Sequence, residues 1–239
     1  MSNVLAAWTL GSIVLFVLSA RTASTSLARR TAASPVGRVF LEVARFAYYL
    51  GLPYLALLAG VFSARDASLQ GSPSPELFLG WTPEAWMRAL GQAAALAVVA
   101  ISALALLNYQ IRQAGGYAWH AIGVPFATLA QSIRESVYAE AHWSFYRVLP
   151  VIWLADTRWA ALAGLALTGI EAILAGRAEQ SDPRVRPLEA VLAGASATFY
   201  ALTGGNLWIA VALQTVTRTA AGAMAHAGQK ENPASELVV

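Results

Sequence analysis

The stretch AWMRALGQAAALAVVAISALALLNY at residues 85–109 decides the fold class of this chain. Its one charged side chain is Arg88, and alanine, leucine and valine make up most of the remainder. A run of about 20 apolar residues is long enough to cross the hydrocarbon core of a bilayer as an α-helix. We therefore expect a transmembrane helix here, with Trp86 as an anchor at one membrane interface.

The composition of the whole chain agrees with this expectation. Of its 239 residues, 57% are hydrophobic and 12% are charged, and the mean hydropathy is +0.54. These values lie outside the usual range of soluble globular proteins and predict a polytopic membrane protein. The chain has no cysteine, which excludes disulfides, thiolate metal sites and a cysteine nucleophile. Its net charge of +3 includes no basic stripe, so we predict no nucleic-acid partner.

Apolar runs on both sides of residues 85–109 predict an all-α transmembrane bundle of about seven spans. The other six are expected at residues 3–20 and 40–63, in a span that ends near residue 156, and at 159–175, 188–202 and 207–224. The fourth span is expected to follow an interfacial helix. We interpret residues 1–239 as a single integral membrane domain. It consists of a three-span part at 1–116, a core at 117–224 and a polar tail at 225–239.

The arginines predict the orientation in the membrane. Residues 21–38 hold four arginines and no acidic residue, and the loop at 177–186 holds three more arginines. Such loops stay on the cytoplasmic side by the positive-inside rule. We therefore expect a multi-pass protein of the cytoplasmic (inner) membrane, with its N-terminus outside and its C-terminus inside. Glu42 and Arg45, at the start of the second span, are spaced to pair on one helical face.

The sequence EAHWSFYR, from Glu140 to Arg147, places ionisable groups inside a predicted span. A charge in the hydrocarbon layer costs about 2.5–3.5 kcal/mol on insertion scales, so such a cluster is a candidate functional site. Glu140 and Arg147 share a helical face and are spaced for a buried ion pair. His142 lies about 200° around the helix from Glu140, so the two cannot bind one ion together. It lies instead on the face of Glu135 and Tyr146.

Several other polar residues fall inside predicted spans. Glu171 lies in the fifth span, as either a hydrogen-bonded carboxyl or a functional group. His142 or His120 is an open alternative as the axial ligand of a haem or chlorophyll-type pigment. Asn206 is expected to finish a glycine-rich turn, and Gln214 is expected to hydrogen-bond across helices.

The segment FYALTGGNLWIAVALQTVTR at residues 199–218 resembles the closing motif of the CAAX-protease and bacteriocin-processing (CPBP) membrane family. In that family a helix ends in a Thr-Gly-Asn-Leu-Trp-like turn, and the next span carries a His-x-x-x-Asn pair. Residues 142–149 resemble the family's Glu-Glu-x-x-x-Arg signature, with Arg147 in register. The resemblance covers about residues 135–218 and implies a CPBP-like core in the C-terminal half.

The chain departs from the family at the catalytic positions. In the family, paired glutamates and histidines in a membrane cavity are thought to activate water for peptide hydrolysis, with or without a metal. Here the glutamate positions fall on His142 and Trp143, and the position of an intermediate histidine falls on Glu171. The late histidine and asparagine fall on Gln214 and Arg218. The resemblance therefore implies a relative that lacks most of the hydrolytic groups.

These observations favour a non-catalytic accessory or assembly subunit of a larger membrane complex, with the bilayer and other integral membrane subunits as partners. Asn206, Gln214 and Arg218 are its predicted binding residues. One alternative is an intramembrane protease with a rearranged site, for which the catalytic candidates are Glu140, His142, Arg147 and Glu171. A rearranged site would need Glu140 with Glu171, or His142 with some other partner. Neither arrangement supplies the three ligands of a catalytic zinc, so no metal is predicted. Another alternative is a pigment- or lipid-binding membrane subunit.

Overall fold

The structure is a computed structural model that describes residues 2–23, 25, 31, 33–71, 78–113, 128–154, 156–178 and 186–230. These residues form seven long helices. They are α1 (Ser2–Ala23), α2 (the continuous segments Pro35–Phe46, Ala47–Gly51 and Leu52–Leu58), α3 (Pro83–Gln113), α4 (Leu129–Leu154), α5 (Thr157–Ala178), α6 (Arg186–Thr203) and α7 (Leu207–Lys230). In this part of the chain the one β feature is an isolated bridge between Phe78 and Trp81. The all-α prediction is confirmed for the described residues.

The seven helices lie where the sequence predicts seven spans. Fewer of them are long and apolar enough to qualify as candidate membrane spans. Two described stretches, Pro83–Ile111 and Thr157–Leu174, are long and apolar enough to cross a membrane. Asn3–Ser19 is a shorter apolar stretch. The interfacial helix and fourth span expected before residue 156 are one continuous helix, α4, over the described residues. Residues 114–127, which include His120, lie outside the described residues.

Helix α2 contains a π-helical turn at Ala47–Gly51. The backbone N–H of Leu52 donates to the carbonyl oxygen of Ala47, five residues earlier. Pro53 follows at once and has no N–H to donate, so the regular α-helical ladder cannot pass through this point. A π-turn adds one residue to a helical turn and re-aims the side chains in it. Here the turn includes Tyr48 and Tyr49, and both rings contact the same residue of α4.

Helix α4 is the central element of the bundle. It packs against α1, α2, α5 and α7, and every residue from His142 to Pro150 is buried. Gly164 of α5 lies directly against it, because a Cβ at that position would come within 2.5 Å of the Arg147 Cγ atom. The buried side chains of Phe145, Tyr146 and Val148 form one apolar cluster on α4. The ionisable cluster of the sequence therefore lies at the centre of the fold.

A tight turn joins α6 to α7. Gly204 and Gly205 have φ angles of +76° and +95°, a region that favours glycine. Asn206 then caps α7, since its Oδ1 accepts a hydrogen bond of 3.2 Å from the N–H of Ile209. The N–H of Leu207 donates to the carbonyl oxygen of Ser68, which ties the turn to the loop after α2.

Candidate functional site

The three ionisable residues of α4 between 140 and 147 are all buried. Glu140, His142 and Arg147 expose 0%, 1% and 5% of their surface. A buried charge is costly unless it is paired and hydrogen-bonded. The partners of these three side chains therefore define what the site can do.

Glu140 belongs to a fully buried network between α4, α6 and α7. Its Oε1 accepts a 2.6 Å hydrogen bond from Gln214 Nε2, and its Oε2 lies 3.4 Å from Arg147 Nη1. Arg147 also donates from Nη2 to Ser196 Oγ at 2.7 Å. Its guanidinium carbon lies 3.7 Å from the centre of the Tyr200 ring, which is cation–π geometry. The ion pair expected from the seven-residue spacing is present, and it includes Gln214.

His142 belongs to a second network and does not meet Glu140. Its Nε2 lies 3.0 Å and 3.1 Å from the two carboxylate oxygens of Glu171 on α5. The Tyr48 hydroxyl donates to the same carboxylate at 3.1 Å. The rings of Tyr48, Tyr49 and Tyr146 surround the imidazole, with ring centres 5.0, 5.2 and 4.4 Å from it. The structure thus joins two of the predicted catalytic candidates, His142 and Glu171, and leaves Glu140 in a separate network.

The other ring nitrogen of His142 has no partner among the described residues. Nδ1 is buried and makes no hydrogen bond to any described residue. A buried polar atom without a partner is uncommon in proteins.

A cavity of about 220 Å³ adjoins this histidine, and α1, α2, α4, α5, α6 and α7 all contribute to its wall. Its charged lining residues are Arg45, Glu135, Glu171, Glu189 and Arg218. Its aromatic lining residues are Phe16, Tyr49, Tyr138, His142 and Trp143. Glu140 does not line it.

Two guanidinium–carboxylate pairs lie in the cavity wall. Both terminal nitrogens of Arg45 bind the carboxylate of Glu135, one of them at 3.0 Å from Oε1. The predicted pair of Arg45 with Glu42 is therefore wrong. A bidentate bond to a nearly buried carboxylate on α4 is stronger than a single contact between exposed neighbours on one helix. Glu42 instead lies 3.4 Å from Arg134.

The second pair joins α7 to α6. Arg218 binds both carboxylate oxygens of Glu189, at 2.9 and 3.1 Å. Its Nε also lies 3.3 Å from the Gln214 side-chain oxygen, so the pair connects to the Glu140 network. Of the three predicted binding residues, Arg218 lines the cavity, Gln214 binds Glu140, and Asn206 caps a helix.

The site does not fit the cofactors considered from the sequence. The cavity is smaller than the roughly 300–1,000 Å³ of pockets that bind drug-sized molecules, so the described residues leave no room in it for a haem or chlorophyll macrocycle. In the described part of the chain, no group of three histidine, aspartate or glutamate residues could hold a metal ion. The other pigment-ligand candidate, His120, lies outside the described residues.

Sequence reasoning missed Tyr48 and Glu189 as members of the site. Tyr48 lies in the π-turn of α2 and faces His142, and Glu189 lines the cavity and binds Arg218. The sequence did place one cavity residue beside His142. Glu135 is seven residues before His142 and therefore lies on the same helical face.

Comparison with known proteins adds no relative. No protein-family model, curated protein or solved structure matches this chain. The CPBP resemblance therefore depends on the motifs in residues 135–218 and stays a prediction.

Proposed function

We propose that this chain is a multi-pass membrane protein with a CPBP-like helical core that lacks the hydrolytic groups and works by binding. In this proposal it is an accessory or assembly subunit of a larger membrane complex in the cytoplasmic membrane, with its N-terminus outside. One observation carries the proposal. Residues at the family's catalytic positions hold one another in hydrogen bonds, His142 with Glu171 and Gln214 with Arg218, and Gln214 also binds Glu140.

The first of these pairs is a reciprocal exchange. The resemblance expects a glutamate where His142 lies and a histidine where Glu171 lies, and the two side chains are in contact at 3.0 Å. A scaffold that brings these two positions together agrees with a CPBP-like arrangement of α4 and α5. In this interpretation the exchange preserves a contact between α4 and α5, but it interchanges the carboxylate and the imidazole.

The surroundings of Glu140 argue against Glu140 as the base of a hydrolytic reaction. A general base must reach the proton that it removes, either directly or through one water. Both oxygens of Glu140 are occupied, by Gln214 and Arg147, and the residue is fully buried outside the cavity. A carboxylate held in this way stabilises a helix interface.

Exposed apolar residues on the outer surface support the proposed binding role. Helix α3 exposes Met87, Val98, Val99 and Leu106 along one of the two apolar stretches that could cross a membrane. Large exposed apolar surfaces are covered by lipid or by another protein. Trp153 and Trp159, 59% and 64% exposed at the junction of α4 and α5, are the aromatic residues best placed to anchor a partner.

Purification from the native membrane in a mild detergent tests the proposal. We expect other membrane subunits to co-purify in fixed stoichiometry by mass spectrometry. Replacing both Trp153 and Trp159 by alanine should weaken that association, because truncating an interface hot spot costs about 2 kcal/mol or more, roughly thirtyfold in affinity. The double variant Phe40→Ala with Tyr54→Ala, at two exposed aromatic residues of α2, is the matched control.

A chain that purifies alone would overturn the accessory-subunit proposal. Peptide cleavage that is lost in both Glu140→Gln and Glu171→Gln would favour the protease alternative instead. An absorption band or a bound lipid in the same fraction would favour the pigment- or lipid-binding alternative.

A further inference from the structure

A small cavity of about 90 Å³ lies between the start of α3 and the turn that joins α6 to α7. Its polar side chains are Arg88, Gln92, Thr203 and Asn206. None of them belongs to the networks around Glu140 and His142. Among the described residues no carboxylate lines this cavity, so its wall carries one charge, the positive charge of Arg88.

Asn206 keeps one hydrogen-bond donor free. Its Oδ1 accepts from the N–H of Ile209, so the other end of the amide is the nitrogen, Nδ2. That nitrogen makes no hydrogen bond to a described residue, although Asn206 is only 3% exposed. The fully covered polar atoms that lack a partner include Gln92 Oε1 but not Asn206 Nδ2. Nδ2 therefore keeps accessible surface, and it faces the cavity that Asn206 lines.

The other open polar groups of the wall are donors as well. Arg88 is exposed and makes no hydrogen bond or ion pair with any described residue, and its guanidinium has five N–H groups and no acceptor. Gln92 Oε1 is covered, which leaves its Nε2 as the accessible end of that amide. The Thr203 hydroxyl is already used, because it donates to the Phe199 carbonyl oxygen and accepts from the Gly205 N–H. An occupant of the cavity must therefore accept hydrogen bonds.

The surroundings leave the sign of the charge to these side chains. Helix α6 ends and α7 begins beside the cavity, so opposite ends of two helix dipoles offset each other there. Glu84, one turn before Arg88, is exposed, forms no ion pair with it and does not line the cavity. Arg65 and Asp66, which line the neighbouring cavity, have opposite charges. An unpaired guanidinium with two amide donors fits a negative charge.

We propose that this cavity binds a small monovalent inorganic anion, such as chloride. Gln92 Nε2 donates to the anion from α3, Asn206 Nδ2 donates from the turn before α7, and Arg88 supplies the compensating charge. A water molecule takes up about 30 Å³ in the liquid, so a cavity of about 90 Å³ admits a halide and excludes a bulky anion. The proposal is independent of the accessory-subunit role, because it uses neither Trp153 nor Trp159. It involves no covalent step.

The test is ³⁵Cl NMR of the full-length protein in nanodiscs of uncharged lipid. Chloride that exchanges between water and a protein site gives a broadened ³⁵Cl line. We expect an excess line width that bromide reverses, because bromide is another small halide. Gluconate at the same ionic strength should not reverse it, because that anion is too large for the cavity. Absence of excess broadening, or equal reversal by the two anions, would overturn the proposal.

Variants of the wall separate a built site from general attraction of anions. Asn206→Asp keeps an oxygen that caps α7, but it replaces the donor by a negative charge, so we expect chloride affinity to fall by about 100-fold or more. Arg88→Gln should weaken binding by about two- to fivefold, because an exposed charge is screened by solvent. Arg158→Gln is the matched control, at an exposed arginine that does not line the cavity, and it should bind chloride as the unmodified protein does.

Unchanged affinity in Asn206→Asp, or equal losses in Arg88→Gln and Arg158→Gln, would also overturn the proposal. The comparison of the two arginine variants keeps the proposal falsifiable if Asn206→Asp does not fold. None of these results depends on whether other subunits co-purify.

Discussion

Replacing Arg147 tests whether the buried Glu140 network stabilises the fold. In Arg147→Leu, Glu140 stays fully buried and keeps only its bond to Gln214, and Ser196 and the Tyr200 ring lose their partner. Removing one member of a buried ion pair costs about 3–5 kcal/mol, because the other charge is left uncompensated. We expect the free energy of unfolding to fall by about that amount.

The assay is unfolding of the purified protein in mixed detergent micelles, followed by tryptophan fluorescence. Arg134→Leu is the matched control, because that guanidinium is 42% exposed, its pair with Glu42 is at the surface, and its other partner, Glu135, keeps the bidentate bond to Arg45. We expect it to cost about 1 kcal/mol or less. The double variant Arg147→Leu with Glu140→Leu should recover most of the loss, since no charge then remains unpaired. Equal effects of Arg147→Leu and Arg134→Leu, or no recovery in the double variant, would refute this reasoning.

Three further predictions concern single contacts. Gly164→Ala should destabilise the protein by about 1–3 kcal/mol, because the new Cβ would lie 2.5 Å from a side-chain carbon of α4. Gly91→Ala is the control, because there is open space around that position. Equal melting temperatures of the two variants would contradict this prediction. Asn206→Ala should cost about 0.5–2 kcal/mol through loss of the α7 cap, and Asn206→Ser should restore most of it in the same unfolding assay. Tyr48→Phe removes a donor from the buried Glu171 carboxylate and should cost about 1–3 kcal/mol in the same assay. An unchanged free energy of unfolding would contradict this prediction.

The positions of the helices were predictable because their signals are local. The apolar run at residues 85–109 lies within Pro83–Gln113, and the run at 159–175 lies within Thr157–Ala178. Hydropathy and helical periodicity are properties of neighbouring residues, so one segment suffices to read them. The turn before α7 was likewise predictable, because two glycines and a capping asparagine act on their own backbone.

Partners across helices were less predictable, and the prediction for Arg45 was wrong. Its spacing to Glu42 allowed a pair on α2, but Arg45 binds Glu135, which is 90 residues away along the chain. Spacing on one helix limits which side chains can meet on that helix. It gives no information about a stronger partner on another helix.

The sequence by itself determined that the chain is helical and apolar and that it has ionisable groups between residues 140 and 147. Only the tertiary structure decided which of those groups meet. Helix packing and the π-turn of α2 bring Tyr48 and Glu171 to His142, and they separate His142 from Glu140. The physical reason is that buried charges must find partners, and the closest partner depends on how distant segments pack.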